Sequence, residues 1–217
     1  MDNPTWQQVD DFLENLMAPD DPGLASALAS AEAAGLPAIQ VSRMQAQFLH
    51  ILARAIGARR ILELGTLGGY SGIWLARALP DGGQLVTLEA EAKHAEVAAA
   101  NFAAAGVSER VRLHVGPALE TLPTLLAEYE AGFDLCFLDA DKANLPAYFD
   151  WARRLTRKGG LILSDNVVRG GQVLNGTDAS SQGARSLLQA LGNRGDSAVL
   201  QTVGSKGYDG FALTIVE

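Results

Sequence analysis

The chain has 217 residues, 48% hydrophobic and 19% charged, with a net charge of −8, three histidines and one cysteine. That length carries a full α/β core and suits one domain. The acidic balance excludes nucleic acid and anionic membrane as main partners, since both need a basic footprint, and a lone cysteine excludes an internal disulfide.

Residues 1–40 read as an N-terminal helical cap and 41–217 as the core of a single domain. The opening "MDNPTWQQVDDFLENL" lacks the basic and apolar regions of a signal peptide, and no apolar run reaches the ~18 residues of a membrane span. A cytoplasmic protein is expected. Thr5 with Gln8 carries a capping-box signature for a helix to about Met17, broken by "APDDPG". A second helix runs from about Leu24 to Ala34. Ser42 with Gln45 starts a third, with Phe48, Leu49, Leu52 and Ile56 on one face.

From Arg60 the pattern alternates. Strands are expected at 60–64, 84–89, 111–115, 133–139 and 160–165, with helices at about 71–79, 92–106, 118–129 and 144–155 between them. A loop spans 166–181, a helix runs to about Leu191, and strands at 198–203 and 211–216 flank the turn "GSKGYDG". Repeated strand–helix units with apolar strands imply a parallel sheet covered on both faces. The short link between the last two strands forbids a parallel crossover, so they should form an antiparallel hairpin.

Ligands of open α/β sheets bind beyond the carboxyl ends of the strands. The first end carries Glu63, Gly65, Gly68, Gly69 and Gly72, the second Glu89, the fourth Asp139, Asp141 and Lys142, and the fifth Asp165 and Asn166. The glycines permit close approach to a ligand, or serve a structural turn. Neither a phosphate-loop lysine nor Gly-x-Gly-x-x-Gly is present. Glu63 suits a positively charged ligand, and Glu89, 24 residues past Gly65, suits the two hydroxyls of a ribose. S-adenosylmethionine fits that pair. Asp139, Asp165 and Asn166 come from adjacent strand ends and offer three oxygens to a hard cation such as Mg²⁺; alternatively, Asp165 and Asn166 simply begin a loop. His50, His94 and His114 lie within helices or a strand and suggest core or surface roles. Cys136, inside the apolar run 133–138, reads as a buried structural thiol.

The motifs "RRILELGTLGGYSGIWLARALP", "GQLVTLEAEAKHAEVAAANFAAAG", "GPALETLP", "FDLCFLDADKANLPAYFDWA", "GGLILSDNVVRGG" and "GSKGYDGFALTIV" occur in that order from about Val41 to the C-terminus. Together they resemble the small cation-dependent O-methyltransferases, the group that includes caffeoyl-CoA and catechol O-methyltransferases, and most of all its bacterial members. The resemblance implies a Rossmann-like methyltransferase fold: a seven-stranded, mostly parallel sheet ending in the antiparallel hairpin, with helices on both faces. It implies that Val41, Glu63, Gly65, Thr66, Ser71, Glu89, Ala118, Asp139 and Asp141 serve the S-adenosylmethionine site. Asp139, Asp165 and Asn166 would hold Mg²⁺, or Mn²⁺ or Ca²⁺ in its stead, and Lys142 would stand with Asp139 at the reacting hydroxyl. The activity implied is methyl transfer to a small aromatic acceptor with vicinal hydroxyls. Gly170 replaces an asparagine of the plant coenzyme A-thioester enzymes, which speaks against a coenzyme A-linked acceptor.

Two other functions compete. An NAD-dependent oxidoreductase is supported only by the strand–helix pattern and Glu89. A catalytically silent cofactor-binding protein would need no set such as Asp139, Lys142, Asp165 and Asn166. Arg169 either meets an acidic acceptor or is a solvated or structural residue. The apolar faces of the N-terminal helices suit a homodimer interface, as family members suggest, or burial against the chain's own sheet.

Overall fold

A computed structural model describes residues 4–17, 21–129, 132–192 and 194–217. Strands β1 (Arg60–Leu64), β2 (Gln84–Glu89), β3 (Val111–Val115), β4 (Phe133–Leu138), β5 (Thr156–Ser164), β6 (Ser197–Gly204) and β7 (Gly207–Ile215) form one sheet in the order β3-β2-β1-β4-β5-β7-β6. The first five are parallel, and β7 runs antiparallel to both β5 and β6. The expected fold class and terminal hairpin are therefore found. The helices are α1 (Pro4–Met17), α2 (Pro22–Ala33), α3 (Arg43–Ala55), α4 (Tyr70–Ala78), α5 (Ala92–Ala104), α6 (Ala118–Tyr129), α7 (Leu145–Leu155) and α8 (Ala179–Leu191). None of the described helices is long and apolar enough to cross a membrane.

Successive strand side chains point to opposite faces, and this divides the core in two. Ile61, Leu135 and Phe137 join Leu49, Ile73, Leu75 and Phe102 on one face. Leu62, Leu64, Cys136 and Leu138 join Leu122, Leu125, Phe149 and Leu187 on the other. Both faces being apolar is why the strands read as continuous hydrophobic runs. Burial pushes the Cys136 thiol up to about 12, which removes it as a nucleophile.

Several boundaries differ from the expectation. Helix α1 begins at Pro4, so Thr5 lies within its first turn; a proline there has no N–H to leave unpaired. Helix α2 begins two residues early because Asp21 caps it, accepting the Leu24 N–H at 3.0 Å. The Ser42 box forms as read: Ser42 Oγ accepts from the Gln45 N–H, and Gln45 Oε1 from the Ser42 N–H. Strand β5 starts at Thr156, four residues early, and the final turn contracts to Ser205 and Lys206, with Gly204 paired to Gly207. Tyr208, Asp209 and Gly210 thus lie in β7; their turn-like composition concealed strand pairing with Val203, Thr202 and Gln201. Helix α3 packs on α4 and buries Ala46, Leu49 and Ala53 in the core of that face, while Phe48 and Ile51 stay exposed. In α1 nothing is buried, and Val9, Phe12, Leu16 and Met17 face outward.

Candidate active site

The strand order reverses between β1 and β4, and a cavity of about 1040 Å³ opens there beyond the carboxyl ends of the strands. That volume lies at the upper end of the ~300–1,000 Å³ span of small-molecule and cofactor sites.

The β1–β2 side is built of backbone. Gly65 adopts φ +93, and a Cβ on it would lie 2.7 Å from the Asp139 carbonyl oxygen, so only glycine lets the ends of β1 and β4 meet. Glu89 accepts the Thr66 N–H (3.1 Å) and Leu67 N–H (2.7 Å) on Oε2 and the Glu91 N–H (3.0 Å) on Oε1. A carboxylate accepts about four hydrogen bonds, so Glu89 both folds the glycine-rich turn and keeps limited capacity for a ligand. His94 Nδ1 stands 3.4 Å from Glu89 Oε1, on the same cavity wall. On the opposite side of the turn, the Asn101 carboxamide donates to the Gly68 carbonyl at 2.8 Å.

Glu63 departs from expectation. It does not line the cavity but is fully buried behind it. Its Oε1 accepts from Ser71 Oγ–H (2.7 Å) and its Oε2 from Thr87 Oγ1–H (2.7 Å), with the Thr66 hydroxyl 2.6 Å from that of Thr87. Burial raises the Glu63 pKa to about 7 against the pull of its two donors, with Asp139 and Glu89 adding to the rise. Glu63 therefore acts through Ser71 and Thr66, which do reach the cavity.

The β4–β5 side is built of charge. The parallel register pairs Leu138 with Ser164, so Asp139 and Asp165 leave the sheet side by side. Lys142, buried to 6% exposure, donates from Nζ to Asp139 Oδ1 at 2.7 Å. Burial raises the Asp165 pKa first, the Asp139 charge raises it further, and Lys142 opposes. Two carboxylates pressed together in this way fit a divalent cation, which relieves their repulsion and takes oxygen ligands. Asn166, turned to φ +54, completes an all-oxygen set on the cavity wall. Among the described residues no three His, Cys, Asp or Glu side chains converge as a metal centre, so the set depends on that carboxamide. Asp141 accepts from the Asn144 N–H and Nδ2 (both 3.0 Å) and from the Tyr148 hydroxyl, so it also serves the turn before α7.

Helix α8 fixes Lys142 from outside. A Cβ at Gly183 would fall 1.9 Å from the Lys142 carbonyl oxygen, so that glycine lets the helix lie directly on the lysine's backbone.

The remaining wall is assembled from distant segments. The β6–β7 hairpin meets α1 through the Ser205 N–H and Asp10 Oδ2 (2.6 Å), and Lys206 Nζ donates to the Ala38 carbonyl at 3.2 Å. Asp209 Oδ1 accepts from the Val168 N–H (3.0 Å) and Arg169 N–H (2.8 Å). The three non-glycine residues with positive φ among those described, Leu67, Asn166 and Arg169, all line the cavity. Such conformations are sparsely populated and cluster at working sites.

Of the residues that the resemblance assigns to the site, Val41, Gly65, Thr66, Ser71, Glu89, Ala118, Asp139, Asp141, Lys142, Asp165 and Asn166 line this one cavity and Glu63 does not; of the turn glycines, Gly68 lines it while Gly69 and Gly72 do not. Sequence reasoning missed His94, Asn101, Gly183 and Asp209. Gly183 carried a readable signal, because a glycine inside a helix costs ~1 kcal/mol relative to alanine and invites a packing explanation. His94 did too: it lies in the first turn of the helix after Glu89.

A family model described as O-methyltransferase matches residues 20–198. A catechol O-methyltransferase of Mycobacterium tuberculosis is 53% identical over 98% of this chain and 97% of its own length. One from Niastella koreensis is 47% identical over the full length of both chains. The crystal structure of a Bacillus cereus O-methyltransferase in complex with SAH superposes with a TM-score of 0.95 at 46% identity, covering 98% of this chain and 99% of that one. The Streptomyces achromogenes O-methyltransferase TomG, in complex with SAM, gives 0.94 at 47% identity, covering 100% and 99%.

Proposed function

The chain belongs to the O-methyltransferase family, and from that premise we propose that it transfers the methyl group of S-adenosylmethionine to one hydroxyl of a catechol-type acceptor with the help of a divalent cation. The observation that carries this reading is the meeting of two unlike walls in one cavity. A glycine-rich turn held by Glu89 faces the Asp139–Lys142–Asp165–Asn166 group. The names of the relatives support it further, two of them being catechol O-methyltransferases.

Glu89 and the Thr66–Gly69 turn would receive the adenosine half of the donor, as in other open α/β sheets. Asp139, Asp165 and Asn166 would hold the cation, Mg²⁺ being the natural choice for oxygen ligands. When bound there, a divalent cation favours the ionised form of a chelating hydroxyl and fixes its position. A phenol with a pKa near ~10 is otherwise mostly protonated at neutral pH. Lys142 Nζ, 2.7 Å from Asp139 Oδ1, either takes the hydroxyl proton or balances the charge left on oxygen. The oxygen then forms a bond to the methyl carbon as the sulfur–carbon bond breaks, its electron pair neutralising the sulfonium. Gly65 keeps the ends of β1 and β4 close, Gly183 lets α8 back the Lys142 segment, and held alignment of oxygen, carbon and sulfur contributes much of the rate.

The test is transfer of labelled methyl from S-adenosylmethionine to catechol with Mg²⁺ and then with EDTA. Transfer that EDTA abolishes is expected. Transfer that persists in EDTA would remove the cation from the reading while leaving the donor and acceptor in it.

A further inference from the structure

The glycine-rich turn after β1 is held from two sides. Glu89 accepts the Thr66 and Leu67 N–H groups, and Leu67 is kept at φ +49, a conformation that its surroundings must enforce. The second hold comes from behind the cavity. Asn101 on α5, 4% exposed, donates from Nδ2 to the Gly68 carbonyl at 2.8 Å and to the Ala27 carbonyl at 3.3 Å, and its Oδ1 accepts from the Ser30 hydroxyl at 2.5 Å. Two carbonyls on one side fix which end of the carboxamide is nitrogen. Glu89 joins residues within 23 positions of it, whereas Asn101 draws in α2 from 71 and 74 positions away.

None of these bonds stays within α5. Packing alone would be met by an apolar residue, as it is at Ala95 and Ala98 of the same helix, which are also buried. A buried carboxamide is tolerated only where its partners answer it. The neighbouring side chains press the same turn. A Cβ at Gly69 or Gly72 would lie 2.9 Å from the Phe102 ring, and one at Gly68 would lie 3.0 Å from Ala31 of α2. The turn is clamped between α5 and α2, with Asn101 as the polar tie among the three. Gly68 and Ala27 line the cavity and Asn101 does not, so it acts through them.

We infer that Asn101 is a positioning residue for the methyl donor, fixing the Gly68 peptide and coupling the donor turn to the seating of α2. The inference rests on the donor half of the reading above. Coupling of this kind is reciprocal: a donor bound at the turn holds α2 in place, and α2 set loose weakens the donor.

The experiment measures S-adenosylhomocysteine binding by calorimetry, and hydrogen exchange of the α2 amides with and without that ligand. Wild type should bind it, and exchange across 22–33 should slow about tenfold on binding. Asn101→Asp keeps the size of the side chain and loses both N–H donors, and it should weaken binding about tenfold. Ser30→Ala removes one of the two ties to α2; it should weaken binding about threefold and reduce the ligand-induced protection by a similar factor. Ser30 is half-buried, so its variant decides the matter if Asn101→Asp does not fold. A packing role alone would move the melting temperature of both variants and leave these two readouts unchanged. Affinity equal to wild type in both variants, or undiminished α2 protection in Ser30→Ala, would overturn the inference and leave the donor reading in place. A wild type that does not bind S-adenosylhomocysteine would overturn both.

Discussion

The two halves of the cavity are made in different ways. The wall at β1 and β2 is backbone folded on itself: Glu89 gathers three amides from residues within 23 positions, and Gly65 takes a conformation closed to other residues. The wall at β5 to β7 consists of side chains held by distant segments, such as Asp10 on Ser205 and Lys206 on Ala38, 195 and 168 residues apart. If the proposed function holds, the first wall, which would meet the shared methyl donor, is fixed locally, and the second, which would meet the acceptor, is left to long-range contacts that loop changes can alter.

The sharpest way to break this division is at its seam. Lys142→Ala should lower turnover by about 10²–10⁴, the usual worth of a general acid or base, while calorimetry shows S-adenosylmethionine binding intact. Loss of donor binding would mean that the halves are not separable. Lys142→Arg adds a distinction, because arginine keeps the charge but cannot serve as a base: recovered turnover would favour charge balance over proton transfer.

The next effect concerns the donor side and is read in stability. Burial pushes the Glu63 carboxyl up to about 7 from the ordinary glutamate value near 4.5, so the native state holds its proton more tightly than the unfolded chain does. Its contribution is fully present below about 4.5 and is lost as the pH rises through about 7, by at most about 3 kcal/mol. Wild type should therefore lose melting temperature relative to Glu63→Gln between pH 5 and pH 8. Parallel curves would show that Glu63 is ionised throughout and that the Ser71 and Thr87 donors outweigh burial.

The smallest effect belongs to the long-range wall. Asp10→Ala removes the acceptor for the Ser205 N–H and should raise the KM of the aromatic acceptor a few-fold, with the KM of the donor unmoved. An equal change in both would tie the hairpin to the donor side as well.

The same division governs what could be read in advance. The first four strands, the glycine-rich turn, Glu89, and the Asp139 and Asp165 ends follow from local pattern, because a parallel sheet delivers consecutive strand ends to one edge. Glu63 was correctly located at the end of β1, but its direction was not readable, since alternation along a strand buried on both faces carries no inward or outward signal. Asp209 was assigned to a turn because Gly, Tyr, Asp and Gly in succession look like one; pairing with β6 decides otherwise, and no local rule reports it. Gly183 has meaning only once α8 lies on Lys142.

Strand β7 follows β6 in the chain, yet it occupies an interior place between β5 and β6. Until residues 207–215 leave the ribosome, β5 is an open edge and β6 has no neighbour in the sheet. The wall at β1 and β2 can close before residues 207–215 are made, whereas the wall at β5 to β7 must wait for them. A nascent chain in this interval offers an apolar, unpaired strand to its surroundings, the kind of edge from which aggregation starts. The wall at β5 to β7 is thus also a safeguard of the fold.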